Sequence, residues 1–138
     1  MGVVRFEVPT RDATQLVEIT AQVREAIRSS GVTEGIAVVA SVHTTAGVTL
    51  QENADPDVAH DLLLALGNAV PPRATRGIYR HGEGNSDAHV KTAMVGASVT
   101  LVVEWGAPVL GTWQGVYLCE HRDAGGPRTL TATLWGEA

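Results

Sequence analysis

One polar stretch, residues 79–91, carries an unusual density of groups that can do chemistry. It holds two imidazoles, two carboxylates, an ammonium and two glycines, at His81, His89, Glu83, Asp87, Lys91, Gly82 and Gly84. Glycine permits backbone torsions closed to other residues, and a helix that starts here presents unpaired N–H groups to anions. The stretch is typical either of a solvated polar turn or of a site that binds a metal ion or an anion.

A third imidazole follows a predicted buried strand. His43 is followed by the hydroxyls of Thr44 and Thr45 and by a small Ala-Gly pair, where a sheet would meet a loop. Such a histidine is either a ligand or a core residue whose ring is satisfied by a hydroxyl, and both interpretations stay open. For His60, flanked by acidic residues in a predicted helix, a solvated helix face is the better interpretation.

The apolar run at residues 113–121 predicts a strand with a polar residue near each end. The two-residue period places Gln114 and Glu120 on one face, too far apart to touch. The pattern favours an exposed Glu120 at the edge over a paired carboxylate inside a site. Cys119 lies among apolar neighbours and is expected to be a buried thiol. The sequence contains no nucleophile elbow, Walker loop or dinucleotide fingerprint.

Apolar periodicity predicts the elements that would position these groups. Strands are predicted over residues 4–8, 36–42, 98–104, 112–121 and 129–135, with further extended pieces near 48–50 and 77–81. The strand at 36–42 is β-branched enough to be central and buried on both faces. Helices are predicted over residues 14–30, from Pro56 to about 69, and from a cap at Ser86 or Asp87 to about 95. This order predicts a single α+β domain over residues 1–138, with a mostly antiparallel or mixed sheet.

Composition limits the partners and the compartment. The 138 residues include ten Lys or Arg against fifteen Asp or Glu, so the formal charge is −5 and the pI is about 5.4. This balance lacks the basic surface of a nucleic-acid-binding protein. The chain start has no signal-peptide pattern and no stretch suits a membrane helix, so we expect a cytoplasmic protein with no membrane partner and a reduced Cys119.

Five motifs in order resemble the YjbQ family, described as secondary thiamine-phosphate synthases. They are His-Thr-Thr-Ala-Gly at 43–47, Asn-Ala-Asp-Pro-Asp at 53–57, Glu-Gly-Asn-Ser-Asp-Ala-His-Val-Lys at 83–91, Gly-Thr-Trp-Gln-Gly at 111–115 and Leu-Cys-Glu-His-Arg at 118–122. The resemblance extends over about residues 14–137. Two departures stand out: relatives often have an aromatic residue at the position of His121, and many have an Asn-Gly-Arg turn where this chain has residues 104–107.

The resemblance implies a compact α+β homotrimer that joins a hydroxymethylpyrimidine pyrophosphate to a thiazole phosphate and releases pyrophosphate. It implies a divalent metal ion, zinc or magnesium, on His43, His81 and His89. Because the departing pyrophosphate needs charge stabilisation, this reaction would place phosphate contacts on Lys91, Thr44, Thr45 and the backbone of Gly84, Asn85 and Ser86. The catalytic or orienting groups would be Lys91, Glu83, Asp87, Gln114 and Glu120.

Two other functions are compatible with the same residues. Three histidines with an open coordination position could activate water, as in a metal-dependent phosphoester hydrolase. The chain could instead be a non-catalytic trimer that binds a metal ion or a small phosphorylated metabolite.

Overall fold

Strands with alternating apolar residues account for most of the fold. The computed structural model describes residues 2–138, which form eight strands and three helices. The strands are β1 (Gly2–Val8), β2 (Gln15–Glu18), β3 (Glu34–Ser41), β4 (Ala46–Glu52), β5 (Ser98–Glu104), β6 (Ala107–Pro108), β7 (Gln114–Glu120) and β8 (Arg128–Glu137). The helices are α1 (Thr20–Ser30), α2 (Pro56–Ala69) and α3 (Ser86–Val95). The predicted α+β class is confirmed.

The strands form two antiparallel sheets. The larger sheet has the order β1-β8-β3-β5-β6, and the smaller has β2-β7-β4. The core lies between them, because the larger sheet turns Val39, Leu101 and Leu134 inward while the smaller contributes Val48 and Leu118. Helix α1 adds its buried face, and α3 packs against β4. The ends of β3, β7 and β8 therefore meet the start of α3.

Three predictions about local structure are wrong. The helix predicted over residues 14–30 begins only at Thr20, because Leu16 and Val17 pair with β7 as strand β2. Cross-strand pairing thus overrides the helical spacing of the apolar residues. Residues 77–81 contain no strand. Strand β3 is central, but in the single chain only one face is buried, since Ile36 on the other face is 39% exposed.

The second helix follows its predicted signals. Asp55 caps α2 by accepting a hydrogen bond from the backbone N–H of Asp57, and Pro56 occupies the first turn.

Cys119 is fully buried, and burial raises the pKa of its thiol to about 12. His60 lies on the exposed surface, as predicted. Within residues 2–138, no helix has the length and apolar character needed to cross a membrane.

Candidate functional site

The three predicted histidines line one cavity, which we call the histidine–arginine cavity. Five separate segments form its walls: the β3–β4 loop, the loop before α3, α3 itself, the residue pair after β7 and the start of β8. The cavity has a volume of about 270 Å³. Its lining residues are His43, Thr44, Thr45, His81, Glu83, Asn85, His89, Arg122 and Arg128. The fold therefore brings together imidazoles that are 46 residues apart along the chain.

His81 and His89 are in contact. Their ring centroids lie 5.1 Å apart and the ring planes are nearly perpendicular. The Glu83 carboxylate is also close, with its Oε1 4.0 Å from Nε2 of His81. Two imidazoles and a carboxylate are thus grouped at one side of the cavity.

His43 is held differently from the other two histidines. Its Nε2 accepts a hydrogen bond of 2.8 Å from the backbone N–H of Thr129. Burial lowers the pKa of His43, the nearby Arg128 charge lowers it further, and Glu120 opposes the shift. A neutral ring that accepts at Nε2 carries its proton at Nδ1. His43 therefore offers an N–H donor and has no free lone pair for a metal ion in this arrangement.

The full metal site predicted from the three histidines is not assembled in the chain. Within the described part, residues 2–138, no three His, Cys, Asp or Glu side chains are grouped to hold one metal ion. The physical reason at His43 is its backbone hydrogen bond to Thr129. A metal role for His81 and His89 stays a prediction.

A buried ion pair forms the floor of the histidine–arginine cavity. Glu120 is fully buried and Arg128 is 3% exposed, and Nε of Arg128 donates a 2.8 Å hydrogen bond to Oε1 of Glu120. The expectation of an exposed Glu120 is wrong, because the alternating pattern of β7 does not show that β8 supplies a guanidinium. Burial by itself raises the pKa of Glu120, but hydrogen bonds from Arg128 and Thr10 bring it below its ordinary value.

Other groups complete the surroundings of this pair. Thr10 donates a 2.7 Å hydrogen bond to Glu120, and Arg128 donates one of 2.8 Å to Oγ1 of the buried Thr45. Gly125 lies directly against the pair, so that a Cβ there would meet both the guanidinium and the Oε1 of Glu120. The small residue in the β7–β8 turn is thus required by the ion pair.

Arg122 separates the histidine–arginine cavity from a neighbouring space. Its guanidinium lies 3.7 Å from Oε2 of Glu83, and both side chains are about half exposed. The neighbouring space, which we call the lysine cavity, has a volume of about 480 Å³. The two cavities share Glu83, Asn85 and Arg122 in their walls.

Lys91 lines the lysine cavity and not the cavity formed by His43, His81 and His89. It is 4% exposed, and its ammonium lies 3.6 Å from Oδ2 of Asp87, one helical turn earlier in α3. Lys91 and Asp87 therefore form an ion pair on the wall of the lysine cavity. Their predicted catalytic and phosphate-binding roles are not tested by this placement.

His121, at a position where relatives often have an aromatic residue, also borders the lysine cavity. It is 3% exposed, and neither ring nitrogen has a hydrogen-bond partner. Burial lowers the pKa of His121 to about 4, with a further contribution from the charge of Lys91. The ring is therefore neutral near pH 7.

The start of α3 lies between the two cavities. Asn85, and not Ser86 or Asp87, occupies the cap position, and its side chain makes no capping hydrogen bond. The prediction of the capping residue is therefore wrong by one position. Gly84 precedes it with a φ of 72°, a left-handed conformation that favours glycine and turns the chain into the helix.

Gln114 is not part of the site. It begins β7, whereas Glu120 ends it, so about 20 Å of strand separates the two. Its Oε1 accepts a hydrogen bond of 2.8 Å from the backbone N–H of Gly111. The predicted catalytic placement of Gln114 is corrected accordingly. Thr44 remains at the mouth of the histidine–arginine cavity, exposed to solvent.

Sequence reasoning missed the two arginines and Thr10. Arg122 stood within a recognised motif, but a lone charge after a strand is usually solvated. A search for a basic partner to Glu120 could have found Arg128, which follows a tight Gly-Gly-Pro turn. No local signal marks Thr10, because its contact with Glu120 spans 110 residues.

Comparison with known proteins assigns the chain to a family. The model of the UPF0047 protein YjbQ-like family matches residues 4–137. The chain belongs to this YjbQ/UPF0047 family. It is 42% identical over 129 residues to the UPF0047 protein YugU of Bacillus subtilis, covering 94% of each chain. It is 46% identical over 99 residues to the UPF0047 protein YjbQ of Salmonella typhimurium, covering 70% of each.

Solved structures of YjbQ-like proteins have the same fold. The Clostridium acetobutylicum member, described as an orthologue of YugU, is 42% identical and superposes with a TM-score of 0.83 over 94% of this chain and 96% of its own. A Sulfolobus solfataricus protein described as YbjQ-like and of unknown function is 27% identical, with a TM-score of 0.91 over 99% of this chain and 97% of its own.

These comparisons overturn the expected thiamine-phosphate synthase function. The YjbQ/UPF0047 relatives are named by family alone, and the Sulfolobus solfataricus neighbour is described as being of unknown function. Membership of the family therefore does not carry the joining of a pyrimidine to a thiazole. Function has to be argued from the two cavities themselves.

Proposed function

We propose that the histidine–arginine cavity binds the phosphate group of a small phosphorylated metabolite. The observation that carries this proposal is the convergence of two guanidiniums and three imidazoles on one space of about 270 Å³. Guanidinium and imidazole N–H groups are strong donors to phosphate oxygens.

The distribution of acceptors supports the same ligand. Glu83 is the one carboxylate among the lining residues, and its interaction with Arg122 is long, at 3.7 Å. Glu120 lies behind the wall with its oxygens turned to Arg128, Thr10 and the backbone N–H of Arg122. The cavity thus presents mainly donors, and an anion can displace Glu83 from Arg122 without leaving a buried charge unpaired.

Calorimetric titration with inorganic phosphate tests this proposal. Arg122→Gln removes the exposed guanidinium and should weaken phosphate binding by about ten- to a hundredfold, the range for hydrogen bonds to a charged group. Arg28→Gln is the matched control, because Arg28 is an exposed arginine paired with Glu25 on α1. No heat of binding to the wild type, or equal affinities for wild type and Arg122→Gln, would reject the proposal.

A divalent cation is a second candidate ligand of the same cavity. The specific observation in its favour is the contact between the rings of His81 and His89, two imidazoles of the kind that zinc prefers, although Glu83 would have to move closer to supply a third ligand. These residues would hold the cation, and bound phosphate could share it. Their imidazoles are also the groups best placed to transfer a proton if the ligand is turned over.

We also propose that the chain assembles as a homotrimer in the cytoplasm. Trp135, Ile36 and Val102 lie in register on neighbouring strands and form an exposed apolar row on the outer face of the larger sheet. Burial of such a row between subunits would stabilise an assembly. Light scattering after size exclusion should give three times the 14.5 kDa chain mass, and a monomer at micromolar concentration would reject the trimer.

A further inference from the structure

We propose that the lysine cavity is a second subsite that binds the hydroxyl groups of a sugar or polyol phosphate whose phosphate lies in the histidine–arginine cavity. This inference rests on the proposed phosphate site and names the class of metabolite. It is carried by buried polar atoms that lack a partner.

Two side chains at the lysine cavity have unsatisfied hydrogen-bonding groups. Both ring nitrogens of His121 and the Oδ1 of Asn85 are buried without a partner. His121 is 3% exposed and lines the cavity. Burial of a polar group without a partner is unfavourable, so such groups are normally matched by protein, water or ligand. These atoms are almost inaccessible to solvent, so a polar occupant of the cavity would bond to them after the side chains of His121 and Asn85, which line the cavity, turn toward it.

The charges of the walls indicate that this occupant is uncharged. Lys91 is paired with Asp87, and Arg122 lies beside Glu83. Asp123 adds a further carboxylate to the lining. The cations are therefore already matched, and a second anionic group would face an excess of carboxylates.

Hydroxyl groups fit the hydrogen-bonding pattern that remains. A neutral imidazole has one donor and one acceptor nitrogen, and the Asn85 Oδ1 is an acceptor. A hydroxyl both donates and accepts, so adjacent hydroxyls can satisfy all three atoms without any change in protonation.

One ligand can reach both cavities because they share a wall. Glu83, Asn85 and Arg122 border both spaces. A ligand with a phosphate at one end and hydroxyls at the other would place the phosphate among the donors of the histidine–arginine cavity. Its hydroxyls would then lie among the uncharged polar groups of the lysine cavity.

Titration with two probes tests the subsite. Ribose 5-phosphate carries both groups, whereas inorganic phosphate carries only the anion. The wild type should bind ribose 5-phosphate at least about tenfold more tightly, since each neutral hydrogen bond contributes about 1 kcal/mol. His121→Phe keeps an aromatic ring but removes the hydrogen bonds, and it should reduce this preference to within about twofold. Asn85→Ala should reduce it in part, and His60→Phe, on the exposed face of α2, is the matched control.

The outcomes separate the two proposals. If wild type binds both probes equally, or if a folded His121→Phe and a folded Asn85→Ala both keep the full preference, the subsite is rejected while the phosphate site stands. If neither probe binds, the phosphate site fails and the subsite fails with it. Melting temperatures within a few degrees of wild type establish that the variants are folded.

Discussion

The two cavities share a wall but use their charged residues in opposite ways. In the histidine–arginine cavity the carboxylate of Glu120 is turned away to hold Arg128, so the space receives mainly N–H donors. In the lysine cavity the ammonium of Lys91 is paired with the carboxylate of Asp87, and the uncharged ring of His121 has no hydrogen-bond partner among residues 2–138. The residue types that line a cavity therefore do not define its chemistry until the partner of each charged group is known.

The largest effect is on stability, and it distinguishes Arg128, which is buried with Glu120, from Arg122, which is exposed. Arg128→Ala should lower the free energy of unfolding by about 3 to 5 kcal/mol, because it leaves Glu120 buried without a partner. Arg122→Ala should lower it by no more than about 1 kcal/mol, since its pair with Glu83 is exposed. Urea denaturation of both variants measures the difference.

A double variant sharpens this first comparison. Glu120→Leu combined with Arg128→Met removes both charges and should recover most of the stability lost in Arg128→Ala. If Arg128→Ala and Arg122→Ala lose the same free energy of unfolding, the assignment of Arg128 to a supporting role is wrong.

The second effect is a pH dependence that comes from the lysine cavity. The pKa of His121 falls from its ordinary 6.5 to about 4 in the fold, so the unfolded chain binds the extra proton between these values. The contribution of His121 to the free energy of unfolding is therefore fully present above pH 6.5. It is lost as the pH falls toward 4, by a total on the order of 3 kcal/mol. The charged groups that act on this ring are Lys91 and Asp87 of α3, Glu120 of β7 and Arg128 of β8.

Urea denaturation at pH 4.5 and pH 7 measures this dependence. His121→Phe should lose less stability than the wild type over this interval, whereas His60→Phe should behave as the wild type. Parallel stability profiles for the wild type and His121→Phe would contradict a neutral, buried His121.

How much of this arrangement can be predicted from the sequence depends on how far apart along the chain the interacting residues lie. The start of α2 at Pro56, the strand over residues 129–135 and the burial of Cys119 are local or compositional signals, and the sequence predicts them. The ion pair of Glu120 with Arg128 joins two strands across a turn, and the contact of Thr10 with Glu120 spans most of the chain. A one-dimensional pattern does not contain such contacts.

The candidate site divides in the same way. Motifs identified His43, His81 and His89, and the fold brings them to one cavity. They could not show that Thr129 would occupy the Nε2 of His43, or that Lys91 would face the next cavity. Both facts depend on side-chain directions fixed by tertiary packing.

The smallest effect concerns zinc binding, and it distinguishes His43 from the other two histidines of the histidine–arginine cavity. His81→Ala and His89→Ala should each weaken zinc binding by more than about tenfold, while His43→Ala should change it less, because Nε2 of His43 is already bonded to Thr129. Zinc titration by calorimetry at pH 7.5 measures this, with His60→Ala as the control. Equal losses for all three variants would indicate a three-histidine site instead.

The assignment of the anion to the histidine–arginine cavity is tested most directly by locating a bound oxyanion. Tungstate has the shape and charge of a phosphate-like anion and scatters anomalously, so a crystal of the protein soaked in it shows its position without ambiguity. We expect an anomalous peak within hydrogen-bond distance of the Arg122 guanidinium and beside His81 and His89. A peak beside Lys91 in the lysine cavity, or no peak in either cavity at saturating tungstate, would contradict it.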